Sequence, residues 1–347
     1  MFQDIAIEEL SALRQTGSIV TIDVRSPSEY ADATIPGSLN IPLFNDEERA
    51  EIGTIYKQVS VHAAKERGLE IASAKLPAFI KAFSQIPGKK AVFCWRGGMR
   101  SKTSATVLDL MGIRIYRIEG GYRAYRQWVV SRMDEFELAP LAYVLHGNTG
   151  TGKTAILRKL QEQSYPVLDI ERLAGHRGSI FGNIGLISHN QKTFDAQLSD
   201  ELIRLESVPY FLMEAESKRV GKIVLPGGLV KKKEEGKHIW LELPLEARVT
   251  NLLEEYKPWE HQEACIQSFR LIKSRMHTPI AAEIEWALKH EEYRMAIELL
   301  LVHYYDQRYS HSNSAYELDD RIVIKAASVD EAVVEIQQLL GGGTANE

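Results

Sequence analysis

Two short stretches of the chain combine residue types that bind anions and transfer groups. The first, residues 92–101, reads VFCWRGGMRS: an apolar run ends in a cysteine, and a Gly-Gly turn and an arginine precede a new helix. Backbone N–H groups of so short a loop can surround one point and hold an anion, and a cysteine near a helix N-terminus is favoured as the nucleophilic thiolate. The sequence therefore predicts a catalytic Cys94 in an anion-binding loop formed by Trp95, Arg96, Gly97, Gly98, Arg100 and Ser101.

The second stretch, residues 147–154, reads GNTGTGKT and follows an apolar run. It matches G-x-x-x-x-G-K-[ST] in a strand–loop–helix context, which is typical of a phosphate-binding loop. We expect its backbone to hold phosphates, Lys153 to neutralise the outer ones and Thr154 to bind Mg²⁺. The pattern leaves open whether the phosphates belong to a nucleotide. The predicted phosphate-binding residues are Gly147, Asn148, Thr149, Gly150, Thr151, Gly152, Lys153 and Thr154.

Charged residues near the ends of two later strands are candidates for contacts with substrate or metal. Asp169 ends the strand predicted at 165–169, where a helix cap is the alternative role. The segment 209–216, PYFLMEAE, resembles the metal-ordering strand of phosphate-loop proteins but carries glutamates where aspartate is usual. The candidates are Asp169, Glu171, Arg177, Glu214 and Glu216.

Alternating strand and helix patterns predict an α/β protein with parallel sheets. We expect a first domain at 1–135, a linker at 136–140, a phosphate-loop domain at 141–340 with a helical C-terminal part, and a disordered tail at 341–347. In the first domain the patterns predict a helix over 2–16, a strand over 90–94 and a helix over 101–111.

Composition and charge narrow the functional class. The chain has 347 residues, a formal charge of −5 and two cysteines, too few for a disulfide framework. With neither an export signal nor an apolar run of membrane-spanning length, the sequence predicts a cytoplasmic protein without membrane partners. Residues 89–132 hold ten Lys and Arg against two acids, which favours a polyanion such as RNA over the alternative of a solvated face. The candidate RNA contacts are Arg114, Arg117, Arg123 and Arg126.

The first 135 residues resemble a rhodanese domain. The resemblance rests on IDVR at 22–25, IPGSLNIP at 35–42, the Cys94 loop and EGGY at 119–122. Thr34 stands where that family often has histidine, and the loop from Cys94 to Arg100 is one residue longer than in common sulfurtransferases. This C-x5-R length also occurs in rhodanese-like phosphatases, so phosphatase chemistry remains an alternative.

The combination of both domains resembles the bacterial tRNA 2-selenouridine synthase family, on the two loops together with YKQ at 56–58 and HRGSIFG at 176–182. The resemblance implies a transferase that converts 2-thiouridine at the tRNA wobble position to 2-selenouridine with selenophosphate, through S-geranyl-2-thiouridine made from geranyl diphosphate. It implies Mg²⁺ and no organic cofactor. It leaves open whether Cys94 carries selenium or attacks the uridine, and it does not fix the oligomeric state.

Two other classes of function fit the same residues. One is an ATP-coupled sulfurtransferase or kinase, in which the phosphate loop hydrolyses a nucleotide. The other is a binding module whose rhodanese-like domain is catalytically silent.

Overall fold

The computed structural model describes residues 2–135, 137–308 and 321–342, in which helices alternate with mainly parallel strands. The chain divides into two units, Met1–Glu135 with Lys192–Asp200 and Phe136–Gln191 with Glu201–Glu347. Each unit contains its own five-stranded parallel sheet. The predicted α/β class with two successive sheet domains is confirmed. Within the described ranges, no helix is both long and apolar enough to cross a membrane.

The sheet of the first unit has the order β1-β5-β4-β2-β3. Its strands are β1 (Gln3–Ile5), β2 (Ile19–Asp23), β3 (Leu39–Asn40), β4 (Lys89–Phe93) and β5 (Tyr116–Ile118). Its helices are α1 (Ile7–Gln15), α2 (Pro27–Asp32), α3 (Asp46–Gln58), α4 (Val61–Ser84), α5 (Met99–Leu110) and α6 (Gly121–Glu135). Strand β4 lies at the centre, and its residues from Ala91 to Phe93 are fully buried.

Two predicted boundaries in this unit are wrong. The segment predicted as one helix over 2–16 begins with β1, which pairs in parallel with β5 before α1 starts. A three-residue edge strand carries too little periodicity to be recognised, and only its pairing partner defines it. Helix α5 begins at Met99, two residues earlier than predicted, because Gly98 serves as its N-cap.

The sheet of the second unit has the order β12-β11-β6-β8-β7, and β9 and β10 form a separate antiparallel hairpin. The strands are β6 (Leu141–Gly147), β7 (Val167–Leu168), β8 (Tyr210–Glu214), β9 (Arg219–Val220), β10 (Ile223–Val224), β11 (Lys237–Glu242) and β12 (Ile322–Lys325). The helices that follow β6 in the chain are α7 (Lys153–Glu162), α8 (Ile170–Ala174), α9 (Gln191–Leu205), α10 (Gly227–Glu234), α11 (Leu245–Tyr256), α12 (Gln262–Arg270), α13 (Thr278–Lys289), α14 (Tyr293–Leu300) and α15 (Val329–Gly342). Of α9, residues Lys192–Asp200 belong to the first unit. A 3₁₀ turn at Lys273–Arg275 and a π-helical turn at Leu301–Tyr305 complete it.

Helix α7 is fixed against the sheet by one apolar stripe. Ile156, Leu157 and Leu160 follow helical spacing and are fully buried against β6 and β8. Burial of side chains of this size stabilises the unit by about 1.5–3 kcal/mol each. The stripe therefore holds the start of α7, and the loop that precedes it, at the end of β6.

The domain ends differ in detail from the sequence-based expectation. Helix α15 continues through Gly342, two residues into the segment predicted as a tail. Residues 343–347 of that tail and residue 136 of the expected linker lie outside the described residues.

Gly121 determines how closely two loops of the first unit approach. Its φ is +63°, and a Cβ there would lie 2.2 Å from the Cys94 carbonyl oxygen and 2.4 Å from the Gly97 nitrogen. Gly37 also has a positive φ, +74°, but a Cβ there would meet nothing within 4 Å. A comparison of substitutions at Gly37 and Gly121 therefore separates the energetic cost of the backbone angle from the cost of the close approach between loops.

We expect Gly37→Ala to lower the free energy of unfolding by about 1–2 kcal/mol, because only the backbone angle is strained. Gly121→Ala should cost about 2–5 kcal/mol, because the added methyl group also displaces the Cys94 loop. Urea unfolding of both variants measures the difference. Equal losses would contradict the close packing of the two loops.

Candidate active sites

Cys94 directly follows the central strand β4, at the carboxyl edge of the first sheet. It is buried, and the cysteine loop, residues 94–100, leads from it into α5. Gly97 adopts a φ of +64°, which only glycine takes without strain, and packs against the backbone of Ile118 and Gly120. The backbone of the 119–122 turn supports the loop, since the N–H groups of Tyr122 and Arg123 donate to the carbonyls of Cys94 and Trp95.

The cysteine loop presents backbone donors to its interior. In the described part of the first unit, no hydrogen bond engages the N–H groups of Arg96, Gly97 or Gly98. The first N–H groups of α5 face the same end, where the helix dipole favours negative charge. The Ser101 hydroxyl lies 3.2 Å from the Cys94 sulfur. The loop thus has the donors of an anion nest with a thiol beside it.

The two loop arginines have different surroundings. Arg96 is exposed, whereas Arg100 forms two hydrogen bonds to the Glu29 carboxylate, of 2.5 Å and 3.1 Å. Burial alone lowers the pKa of Arg100, but the bonds to Glu29 outweigh it and leave this pKa above its ordinary value. Arg100 is therefore a permanently charged group held by Glu29, a partner that sequence reasoning did not identify.

A buried polar network lies beneath the cysteine loop. Arg25 is 2% exposed, pairs with Asp23 at 2.6 Å and stacks on the Tyr122 ring. Thr34, which stands where the rhodanese family often has histidine, donates to Asp23 at 2.9 Å. Thr34 therefore supports the base of the site, a role that its sequence position did not indicate.

The four arginines predicted to contact tRNA divide into two pairs. Arg114 and Arg123 are exposed. Arg117 pairs with Asp4 and donates to the Gly97 carbonyl, and Arg126 pairs with Asp195 at 2.7 Å. The second pair is thus engaged in internal ion pairs of the first unit.

The phosphate loop, residues 147–154, joins β6 to α7 at the carboxyl edge of the second sheet. Gly150 and Gly152 have φ values of +84° and +74°, and Gly152 is the N-cap of α7. The Lys153 ammonium donates to the Gly147 carbonyl at 3.1 Å, across the mouth of the loop. These features are those of a loop shaped around phosphate oxygens.

Helix α11 holds the outer side of this loop. Arg248 is 6% exposed, donates to the Thr149 carbonyl at 2.9 Å and pairs with Asp306 at 2.6 Å. Asn251 donates to the Gly150 carbonyl at 2.9 Å. These residues stabilise the loop without belonging to its motif, so sequence reasoning missed them.

Three glutamates converge beside Thr154. Carboxylate oxygens of Glu171, Glu214 and Glu216 lie within 4.8 Å of one another, and the Thr154 hydroxyl donates to Glu171 at 2.9 Å. Burial, followed by the charge of Glu216, raises the pKa of Glu171 to about 8. Burial also raises the pKa of Glu216 above its ordinary value, and it raises the pKa of Glu214 well above its ordinary value. The structure brings these three predicted residues together.

The other two candidates of that group have structural partners. Asp169 caps α8 by accepting from the Arg172 N–H at 2.8 Å, the alternative role considered from the sequence. Arg177 pairs with Glu255 and donates to the carbonyls of Ile184 and Glu255. Neither is among the three clustered carboxylates.

The HRGSIFG segment lies against the carboxylate cluster. Gly178 has a φ of +65°, and a Cβ there would lie 2.7 Å from Glu216 and 3.4 Å from Glu171. The sequence marked this segment only through its family resemblance. The structure explains why this segment has glycine at position 178, because a larger residue would crowd the carboxylates.

Comparisons with known families match both units. Residues 6–127 match the rhodanese-like domain, and residues 141–278 match the tRNA 2-selenouridine synthase AAA domain. Among solved structures, the N-terminal domain of a protein from Clostridium difficile 630 is 33% identical. The match covers 37% of this chain and 99% of the solved domain, with a TM-score of 0.34.

Curated relatives extend the match over most of the chain. A tRNA 2-selenouridine synthase from Nitrosomonas europaea is 38% identical over 262 residues, 73% of this chain and 67% of the relative. One from Shewanella halifaxensis is 32% identical over 344 residues, 88% of this chain and 91% of the relative. These matches show that the chain belongs to the tRNA 2-selenouridine synthase family.

Proposed function

We propose that this protein converts 2-thiouridine at the tRNA wobble position to 2-selenouridine. Geranyl diphosphate first alkylates the sulfur, and selenium from selenophosphate then replaces the geranyl thiol. The observation that carries the proposal is the presence, in a chain of this family, of two separate anion-binding loops: one contains a thiol, and the other contains a lysine and lies beside three carboxylates.

The cysteine loop is suited to selenophosphate. Its free N–H groups, the α5 N-terminus and Arg100 together favour a tetrahedral anion beside the Cys94 thiol. Cys94 attacks C2 of the S-geranylated uridine as a covalent catalyst and expels geranyl thiol. The selenium of selenophosphate then displaces the cysteine from C2, and water takes up the phosphoryl group as phosphate. Glu29 keeps the Arg100 guanidinium beside the loop, and Arg96 supplies a second cation from the surface.

The phosphate loop is suited to a diphosphate, whether or not a nucleoside is attached. When thiouridine sulfur attacks the geranyl carbon, the carbon–oxygen bond breaks and negative charge develops on the departing diphosphate. Lys153 and the N–H groups at the start of α7 stabilise that charge. Alkylation makes C2 of the base more electrophilic, and geranyl thiol leaves more easily than sulfide.

The carboxylate cluster fits Mg²⁺. Oε1 of the fully buried Glu214 has no hydrogen-bond partner among the described residues, and three clustered carboxylates repel one another without a cation. Thr154 with the buried Glu171 and Glu214 and the half-buried Glu216 would hold the ion directly or through water, since Mg²⁺ prefers oxygen ligands. Bound there, Mg²⁺ supplies positive charge to the diphosphate.

Exposed cations of the first unit would contact tRNA. Arg114 and Arg123 are the two of the four predicted arginines that lie at the surface. Charge of this kind attracts the phosphate backbone without reading sequence. Arg117 and Arg126 would contribute only if their ion pairs with Asp4 and Asp195 were exchanged.

Replacing the thiol should separate the two reactions. We expect Cys94→Ser to reduce selenium incorporation at least about 100-fold and to leave S-geranylation largely unchanged, because the hydroxyl is a far weaker nucleophile. Nucleoside mass spectrometry of the reacted tRNA measures both products. The control is Thr106→Ala, an exposed change on α5, the helix that follows the cysteine loop. Equal loss of both products would contradict this division of labour.

Replacing the phosphate-loop lysine should have the opposite effect. We expect Lys153→Ala to slow geranyl transfer at least about 100-fold, because the departing diphosphate loses a charged donor. Selenation of tRNA that already carries S-geranyl-2-thiouridine should continue. The matched control is Lys159→Ala, which removes an exposed lysine six residues later on α7. Unchanged geranyl transfer in Lys153→Ala would exclude the phosphate loop from this step.

Mg²⁺ should stabilise the folded protein through the carboxylate cluster. We expect saturating Mg²⁺ to stabilise wild type by about 1–3 kcal/mol relative to EDTA. Glu214→Gln should lose most of this gain, whereas Glu242→Gln, which changes an exposed carboxylate, should retain it. Thermal unfolding with and without EDTA measures the effect. The same gain in all three proteins would place Mg²⁺ elsewhere.

A further inference from the structure

An apolar cavity lies among the C-terminal helices of the second unit. It is bounded by α11, α12, α14 and the π-helical turn, and encloses about 560 Å³, including space that opens to solvent. The sequence analysis assigned this region only a helical structure.

The cavity begins at the phosphate loop. Thr149, the third residue of that loop, forms part of the cavity wall. The neighbouring wall residue Leu252 has a methyl carbon 3.1 Å from the position that a Cβ on Gly150 would take. A molecule held by its phosphates in the loop could therefore extend an attached group directly into the cavity.

The wall favours a hydrocarbon over a nucleobase. Leucine, isoleucine, phenylalanine and tyrosine side chains supply most of it, and the Ser179 and Tyr256 hydroxyls lie 3.1 Å apart and satisfy each other. A base buried here would lose its hydrogen bonds to water and regain few from the wall, which is costly. An apolar chain loses none, and its burial is favourable.

The π-helical turn connects the wall to the phosphate loop. Leu301 and Tyr305 of this turn line the cavity. The next residue, Asp306, accepts from the Asn148 amide at 3.3 Å and pairs with Arg248, which also holds the Thr149 carbonyl. Such wide turns in helices occur frequently at functional sites. The cavity and the phosphate loop are thus parts of one structural assembly.

The residues that line the cavity belong to two different apolar clusters. Leu252 and Leu301 pack together with Val249 on α11, beside the phosphate loop. Cys265 and Leu288 belong instead to the cluster formed by α12, α13 and α14. Because neither residue belongs to the cluster beside the phosphate loop, we take their side chains as the end of the cavity away from the phosphates.

We infer that this cavity binds the hydrocarbon chain of an isoprenoid diphosphate whose diphosphate lies in the phosphate loop, and that Cys265 and Leu288 set the longest chain accepted. The choice of an isoprenoid rests on the proposed function. The location rests on the shared wall of the loop and the cavity, the apolar lining and the link through Asp306.

Calorimetric titration of the full-length protein with Mg²⁺ tests the location. The probes are inorganic pyrophosphate and the dimethylallyl, geranyl and farnesyl diphosphates. We expect geranyl diphosphate to bind at least about 100-fold more tightly than pyrophosphate, because each buried methylene adds affinity. Farnesyl diphosphate should gain nothing further. Affinity that does not change with chain length would overturn the inference.

A matched pair of variants on α12 tests the closed end. Cys265 and Ile266 are adjacent and equally buried, at 5% exposure, but only Cys265 lines the cavity. We expect Cys265→Phe to weaken geranyl diphosphate binding at least tenfold without changing pyrophosphate binding, and Ile266→Phe to change neither. Leu288→Ala, which enlarges the same end, should improve farnesyl over geranyl diphosphate severalfold. If Cys265→Phe does not fold, Leu288→Ala alone tests the closed end. The inference is then overturned if this variant binds the three isoprenoid diphosphates with the same relative affinities as wild type.

The outcomes also separate this inference from the proposed function. Chain-length-dependent binding without formation of S-geranyl-2-thiouridine would support the cavity and contradict the function. Product formation that neither cavity variant affects would support the function and overturn the cavity assignment. A further result would also overturn the cavity assignment: competition between ATP and geranyl diphosphate, together with weaker ATP binding in Cys265→Phe. The cavity would then hold a nucleoside.

Discussion

Both candidate sites depend on one constraint, the direction of backbone N–H groups where a parallel strand ends and a helix begins. In each unit a central strand, β4 or β6, runs into a glycine-containing loop and then into a helix. The first N–H groups of a helix have no partner within it, so they remain available to an anion. Positive φ angles at Gly97, Gly150 and Gly152 make these tight loops possible. The side chains then decide which chemistry follows: a thiol in the first unit, and a lysine with three carboxylates in the second.

The two sites balance charge in different ways. In the first unit, Glu29 holds Arg100 beside the cysteine loop, so the positive charge there is fixed before any anion binds. In the second unit, burial raises the pKa values of the three clustered glutamates, and repulsion from neighbouring carboxylates raises those of Glu171 and Glu214 further. A cation and a diphosphate together would relieve this repulsion and satisfy the lysine. The second site would therefore suit a metal ion together with a diphosphate.

The sequence predicted the loops better than their supports. Cys94, the phosphate loop and the α/β class follow from local motifs and strand–helix alternation, which are short-range features. The meeting of Glu171 with Glu214 and Glu216 was only suggested, because it depends on β7 and β8 being neighbours in the sheet. Glu29, Arg248 and Asp306 were missed because their partners lie at least 58 residues away in the chain. The edge strand β1 was missed for the same reason, since it exists through its pairing with β5.

The central claim is that one chain carries out alkylation and selenation of the same thiouridine. The most direct measurement is mass spectrometry of nucleosides from 2-thiouridine-containing tRNA, incubated with the protein, Mg²⁺ and both donors, each donor being omitted in turn. We expect S-geranyl-2-thiouridine with geranyl diphosphate alone, and 2-selenouridine only when selenophosphate is also present. Unmodified 2-thiouridine from folded protein, or full selenation without geranyl diphosphate, would contradict the claim.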